Sequence, residues 1–128
     1  MKTCPFCNLP PERIIAQEGP CIAFFDFFPV SQGHMLIIPK RHVHALADLD
    51  TEEWTAIHQL ARQLIGTAQK EDPSIRGFNL GINDGAAAGQ TIFHTHVHLI
   101  PRREGDVQNP RGGVRGVIPC KQHYPAPE

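Results

Sequence analysis

The stretch "IFHTHVHLIPR" (residues 92–102) sets His94, His96 and His98 at every second position. Alternate side chains of a β-strand share a face. The period therefore predicts a strand with three imidazoles on one side and Phe93, Thr95, Val97 and Leu99 on the other, turned toward a core under a helix. Alternate residues on a strand lie roughly 6.6 Å apart, so the backbones of the outer two histidines stand about 13 Å apart. An adjacent pair can chelate a metal, but three in line cannot easily close on one ion with Zn–N bonds of about 2.0 Å. At least one imidazole has another task.

Outward from this strand, the pattern reads as an α+β domain. "ERIIAQEGPCIAFFDFFP" holds two strands joined at "EGP", and "GHMLIIPK" a third, closed by Pro39. A helix is expected from about Thr51 to Glu71, with Asp50 as N-cap and Glu53 completing a capping box. Trp54, Ile57, Ala61, Leu64, Ile65 and Ala68 step by three and four to give its buried stripe. "GFNLGIN" is the fourth strand and "TIFHTHVHLIP" the fifth. Strands running through hairpins around a single long helix predict an antiparallel sheet. The 128 residues suit one domain, over 1–103, followed by an Arg-, Gly- and Pro-rich tail over 104–128.

A net charge of −1 gives no sign of general nucleic-acid binding or a polybasic membrane contact. The start, "MKTCPFCNLPPER", lacks the apolar run of a secretory signal, and a cytoplasmic protein is expected. In a reducing compartment Cys4 and Cys7 read as a metal or redox pair before they read as a disulfide.

"NDGAAAGQT" feeds directly into the histidines. Gly85 and Gly89 let the backbone turn and present amides to a ligand, with Gln90 and Thr91 adding side-chain donors. A donor-rich loop leading into imidazoles points to a phosphate held against a nucleophile. A metal hydrolase built on an H-x-H pair would want Asp ligands nearby, and "HTHVHLIP" has none.

"GQTIFHTHVHLIPR", preceded by "GHMLIIPKRH" and "CIAFFDFFP", resembles the histidine triad (HIT) family from Cys4 to about Arg103. Thr95 stands where that family has a hydrophobic residue, and Thr91 where serine is common. The resemblance implies a HIT-like fold, a two-fold homodimer, and nucleotide hydrolysis or nucleotidyl transfer. The substrates it implies are dinucleoside polyphosphates such as diadenosine tetraphosphate, or adenosine phosphoramidates. A nucleotide sensor without catalysis is the alternative, and the intact His96 argues against it. By resemblance His96 attacks the α-phosphate, and a neutral imidazole, ordinary pKa about 6.5, can do so without prior deprotonation. His98 donates to the phosphate or leaving group. Asn83, Gly89, Gln90 and Thr91 hold the phosphate end, and Asp26 accepts from the ribose hydroxyls. Phe6, Leu9, Phe24, Phe27 and Leu36 form the purine slot.

Cys4 and Cys7 have the spacing of half a zinc site, which two ligands cannot close. The family subset with this pair completes it with residues corresponding to His94 and His42, implying one structural zinc per chain. His34 and His44 are rival fourth ligands. Cys21 reads as a buried strand cysteine and Cys120 as a tail residue. In the tail, Arg111 and Arg115 would meet extra phosphates on this or a partner subunit, or Val114, Val117 and Ile118 would dock the tail on the surface. The fourth strand and the helix around Trp54 and Ile57 supply the apolar surface expected at a dimer interface.

Overall fold

The computed structural model describes residues 3–125, so residues 1–2 of the expected domain and 126–128 of the expected tail lie outside it. β1 (Ile14–Glu18) and β2 (Cys21–Phe25) form a hairpin through Gly19, whose φ of +48° suits glycine. Then come β3 (Met35–Pro39), α1 (Thr51–Glu71), β4 (Ile75–Ile82) and β5 (Val97–Arg103). Every pairing is antiparallel, and the sheet order is β1-β2-β3-β5-β4. This is the expected α+β architecture, one long helix on a five-stranded antiparallel sheet. Among the described residues no helix is long and apolar enough to cross a membrane.

Alternation along the strands makes two apolar layers. Cys21, Ala23, Met35, Ile37, Val97 and Leu99 face the helix, packing on Ala56, Ile57, Leu60, Ala61 and Leu64. Ile22, Phe24, Leu36 and Ile38 face the other way, under Cys4 and Phe6 of the N-terminal segment. That second layer is the floor of the candidate site.

Two expectations need correction. The helix stripe includes Ala56 and Leu60, whereas Trp54 is 44% exposed and stands off it. Ile57 lies in the chain's own core and is not surface available to a partner. The fifth strand begins at Val97, not at Thr91. Before it the chain leaves the sheet, the Thr95 amide donating to the Val43 carbonyl at 2.6 Å. Val97 and Leu99 keep the predicted core side, Thr95 is buried off the sheet, and Phe93 is exposed against the ring of His44.

The capping box is present: Asp50 Oδ1 accepts from the Glu53 amide, and Glu53 Oε1 accepts from the Asp50 amide. Glu53 is buried and also accepts two bonds from the Arg41 guanidinium, at 2.7 and 3.2 Å. Those bonds, with the amide bond, hold its carboxyl below its usual 4.5 against the opposing effect of burial. Because the folded pKa is depressed, the associated stability is present above about pH 4.5 and lost as pH falls through the folded value. Glu53→Ala is expected to cost roughly 2 kcal/mol at pH 7. Urea unfolding at pH 7 and pH 3 checks this, the gap from wild type narrowing in acid.

Candidate active site and metal cluster

His96 sits just before β5, its ring packed edge-on against Phe6 at 5.1 Å between centroids. Its Nδ1 donates to the carbonyl of His94 at 2.8 Å. A carbonyl only accepts, so in the neutral ring the proton belongs on Nδ1 and Nε2 keeps its lone pair. An imidazole fixed in that tautomer is ready to attack phosphorus without a separate base.

The ring lines a cavity of about 370 Å3 that also gathers Phe6, Phe24, Phe27 and Leu36 with Asp26, Asn83, Gly89, Thr91 and His98. Residues dispersed from the N-terminal segment to β5 thus meet in one place. Leu9 packs behind the slot against the apolar layer without lining it. Pro5, Phe28 and Ile92 complete the wall. Phe28 had only its place in "FFDFF" to mark it, and Pro5 and Ile92 carry no local signal. Arg13 stacks over the Phe27 ring at 4.2 Å, at the apolar slot.

The glycine loop differs from expectation. Its amides are largely spent on the loop itself: Gly89 donates to Ala86, and Gln90 to Gly85. The Gln90 side chain is buried, accepting from the Gly85 amide and donating to the carbonyls of His44 and Ile92. It braces the loop, while Gly89 and Thr91 face the cavity.

His98 has a partner that sequence reading had placed only among rival metal ligands. β3 pairs with β5 so that Leu36 opposes His98, which makes His34 a diagonal neighbour on the same face. The Val30 amide donates to His34 Nδ1 at 3.1 Å, leaving the His34 proton on Nε2. That nitrogen lies 2.9 Å from His98 Nδ1, so His98 accepts there and carries its own proton on Nε2. Burial pushes His98 down to about 4, helped by the neighbouring His96 and His34 and opposed by Asp26. Burial likewise lowers His34, again against Asp26. Two neutral rings thus orient one N–H donor. Asp26 Oδ1 accepts from the Phe28 amide and its Oδ2 lies 3.4 Å from His34. Ligand atoms of Asp26, His34 and His98 are close enough to surround an ion. A metal on His34 Nε2 would require that nitrogen bare, which the Val30 donor opposes.

Cys4, Cys7, His42 and His94 bring one ligand atom each to within 4.8 Å of one another. A tetrahedral ion with metal–S near 2.3 Å and metal–N near 2.05 Å has S···N edges of about 3.6 Å. His94 Nδ1 lies 3.6 Å from Cys4 Sγ and 3.5 Å from Cys7 Sγ, and His42 Nδ1 3.1 Å from Cys7 Sγ. His94 Nε2 donates to the Pro39 carbonyl at 2.7 Å, which frees Nδ1 as the ligand atom. The donor set fits a metal. His34 is engaged with His98 and His44 with Phe93, so of the three rivals His42 is the histidine at the cluster.

Cys21 is buried, and burial with the nearby Glu53 and Asp50 carboxylates pushes its thiol up to about 12, which keeps it inert. Cys120 is exposed in the tail. The tail packs over β4, and Arg115 is turned to the tail's own use. Arg115 donates to the carbonyls of Lys121 and Gln122 and stacks on Tyr124, and Arg111 is exposed and lines neither tail-side cavity.

Comparison with known proteins agrees with this geometry. The HIT domain description matches residues 9–105. Adenylylsulfatase HINT3 of Arabidopsis thaliana is 40% identical over 112 residues, covering 80% of this chain and 54% of its own. The asymmetrical bis(5'-nucleosyl)-tetraphosphatase of Schizosaccharomyces pombe is 42% identical over 84 residues, covering 66% of this chain and 46% of its own. The chain thus spans about half the length of these two relatives. A Zn-bound histidine triad family protein from Mycobacterium smegmatis superposes with a TM-score of 0.73 at 34% identity, over 84% of this chain and 81% of that one. With its imidazoles, loop and cysteine pair placed as described and the HIT description covering most of its length, the chain belongs to the HIT family.

Proposed function

We propose that this protein hydrolyses adenosine nucleotides at the α-phosphate through a nucleotidyl-histidine on His96. The carrying observation is the Nδ1 bond of His96 to the His94 carbonyl, which leaves Nε2 as the nucleophilic atom in a cavity with an apolar slot and a carboxylate. The Nε2 lone pair forms a bond to phosphorus as the bond to the leaving group breaks, its electron pair departing with that group. Water then adds to phosphorus, the Nε2–P pair returns to His96, and AMP is released with one proton going to solvent. One hard displacement becomes two easier ones.

In this reading Phe6, Phe24, Phe27 and Leu36 hold the purine, with Leu9 supporting them, and Asp26 accepts from the ribose hydroxyls. Asn83, Gly89 and Thr91 meet the phosphate, with Gln90 positioning that loop. His98 donates through Nε2 to a phosphoryl oxygen or the leaving group. Cys4, Cys7, His42 and His94 hold one zinc per chain, which supplies structural cross-linking of the N-terminal segment. The relatives' names point to a bis(5'-nucleosyl) tetraphosphate for one of those proteins and an adenylyl sulfate for the other.

A homodimer in the cytoplasm is part of the proposal. β4 is an edge strand, and edges with open hydrogen-bonding groups invite pairing. Leu80 on β4 and Trp54 on α1 are both nearly half exposed, adding the apolar surface. Light scattering at micromolar concentration is expected to give the mass of two chains, and a monomer mass rejects the dimer. For the chemistry, the purified protein is expected to release AMP from adenosine 5'-phosphoramidate or diadenosine tetraphosphate without added divalent ion. Absence of AMP from both rejects the hydrolase reading.

A further inference from the structure

We infer that Arg13 is a positioning residue for the nucleoside: its guanidinium fixes the Phe27 ring as the stacking surface for the base. The inference rests on the nucleotide-binding part of the reading above and adds to it a residue outside the cavity. Of the rings in the apolar slot, Phe24 is fully buried and held by the layer around it, whereas Phe27 is 39% exposed. Phe27 meets the Phe24 ring at 5.9 Å between centroids and 51° between planes. The Phe28 amide donates to Asp26 Oδ1, which ties the backbone of this turn. Those contacts hold the backbone and one side of the ring and leave its outer side open.

Arg13 covers that side. Its Cζ stands 4.2 Å from the centre of the Phe27 ring. The backbone on both sides of Arg13 is fixed. Its amide donates to the Pro10 carbonyl at 2.9 Å, and Ile14, the first residue of β1, pairs with Phe24 across the hairpin. The pairing that builds the slot therefore also delivers the guanidinium to the ring. Arg41, Arg102 and Arg103 are taken by carboxylates, and Arg115 by carbonyls. Among the described residues no hydrogen bond or ion pair engages the Arg13 side chain, and what it meets is the ring. Phe27 lines the nucleotide cavity and Arg13 does not, so the cation lies outside and leaves a face of the ring to the cavity.

A cation over an exposed aromatic face shifts an equilibrium by about two- to fivefold. Here the contact orders the ring before the base arrives, which lowers the cost of ordering it on binding. Aromatic faces carry negative charge and repel when stacked, and a cation behind the ring offsets that repulsion toward an electron-rich purine. Both effects act on the base. The sugar phosphate, at the end of the cavity with Asn83, Thr91 and His96, does not depend on them.

The test is calorimetric binding of AMP, and of ribose 5-phosphate by displacement of AMP, to the full chain. The proteins are wild type, Arg13→Met, Arg13→Lys, Phe27→Leu and the Arg13→Met, Phe27→Leu double variant. Methionine keeps an unbranched apolar stem without the cation, and lysine keeps the cation. Arg13 is exposed, so the chain should fold with either. Arg13→Met is expected to weaken AMP binding about fivefold and to leave ribose 5-phosphate within about twofold. Arg13→Lys should recover most of that loss, and Arg13→Met should cost nothing further once Phe27 is leucine. Equal losses for the two ligands overturn the assignment, because Arg13 then only attracts phosphate. So does an undiminished loss in the Phe27→Leu background, since Arg13 then acts elsewhere. Tighter AMP binding by Arg13→Met would put the guanidinium in the base's own place, and unchanged binding would give it no role; either rejects the proposal. AMP and ribose 5-phosphate bound alike by wild type defeats the purine slot itself, and this inference with it.

Discussion

His96→Asn is expected to lower kcat/KM for any adenylyl substrate by about 10^4-fold or more, since removing a nucleophile takes away the whole covalent route. Asparagine retains a group that can hydrogen-bond near the His94 carbonyl, so the cavity should keep its shape and AMP should still bind. Rapid quench of the wild-type protein followed by mass spectrometry should find AMP bonded to His96. The opposing result is plain. A variant with wild-type turnover would move the nucleophile to another residue, and a missing adduct would leave direct attack by water as the route.

The second large effect concerns the cysteine pair. The protein as purified should contain one zinc per chain, and Cys4→Ser or His42→Ala should lose it. Small zinc domains owe most of their folding free energy to the metal. Here two apolar layers already support the sheet, so the expected loss is smaller, about 3 kcal/mol, or roughly 10 °C in Tm for a domain of this size. Metal analysis with thermal unfolding before and after chelation checks both quantities. His42→Ala protein that keeps full zinc would show that another group supplies the fourth ligand.

The architecture was legible because its signals are local. Apolar runs bounded by turn residues marked β2 and β3, the histidine period marked the Val97–Leu99 portion of β5, and Asp50 with Glu53 marked the helix start. Trp54 fits the three-and-four spacing of the helix stripe yet stands half exposed, while Ala56 and Leu60, which that spacing left out, join Ile57, Ala61 and Leu64 in the contact. The histidine period overstated the strand. His94 turns to the cysteine cluster and Thr95 bonds to the segment after β3, and both contacts are long in sequence. His34 as the partner of His98, and Arg41 as the partner of Glu53, depend on register and loop path, which no local pattern encodes.

The strict alternation of Val97, His98, Leu99 and Ile100 gives one short strand two masters. Changes at Val97 or Leu99 register in the melting of the helix-side layer, and changes at His98 or Ile100 register in what the open side accepts. Drift in substrate preference can therefore proceed along β5 without being vetoed by folding. A lineage could retune its ligand while its scaffold stands still, with the two histories written in alternating letters of the same seven-residue strand.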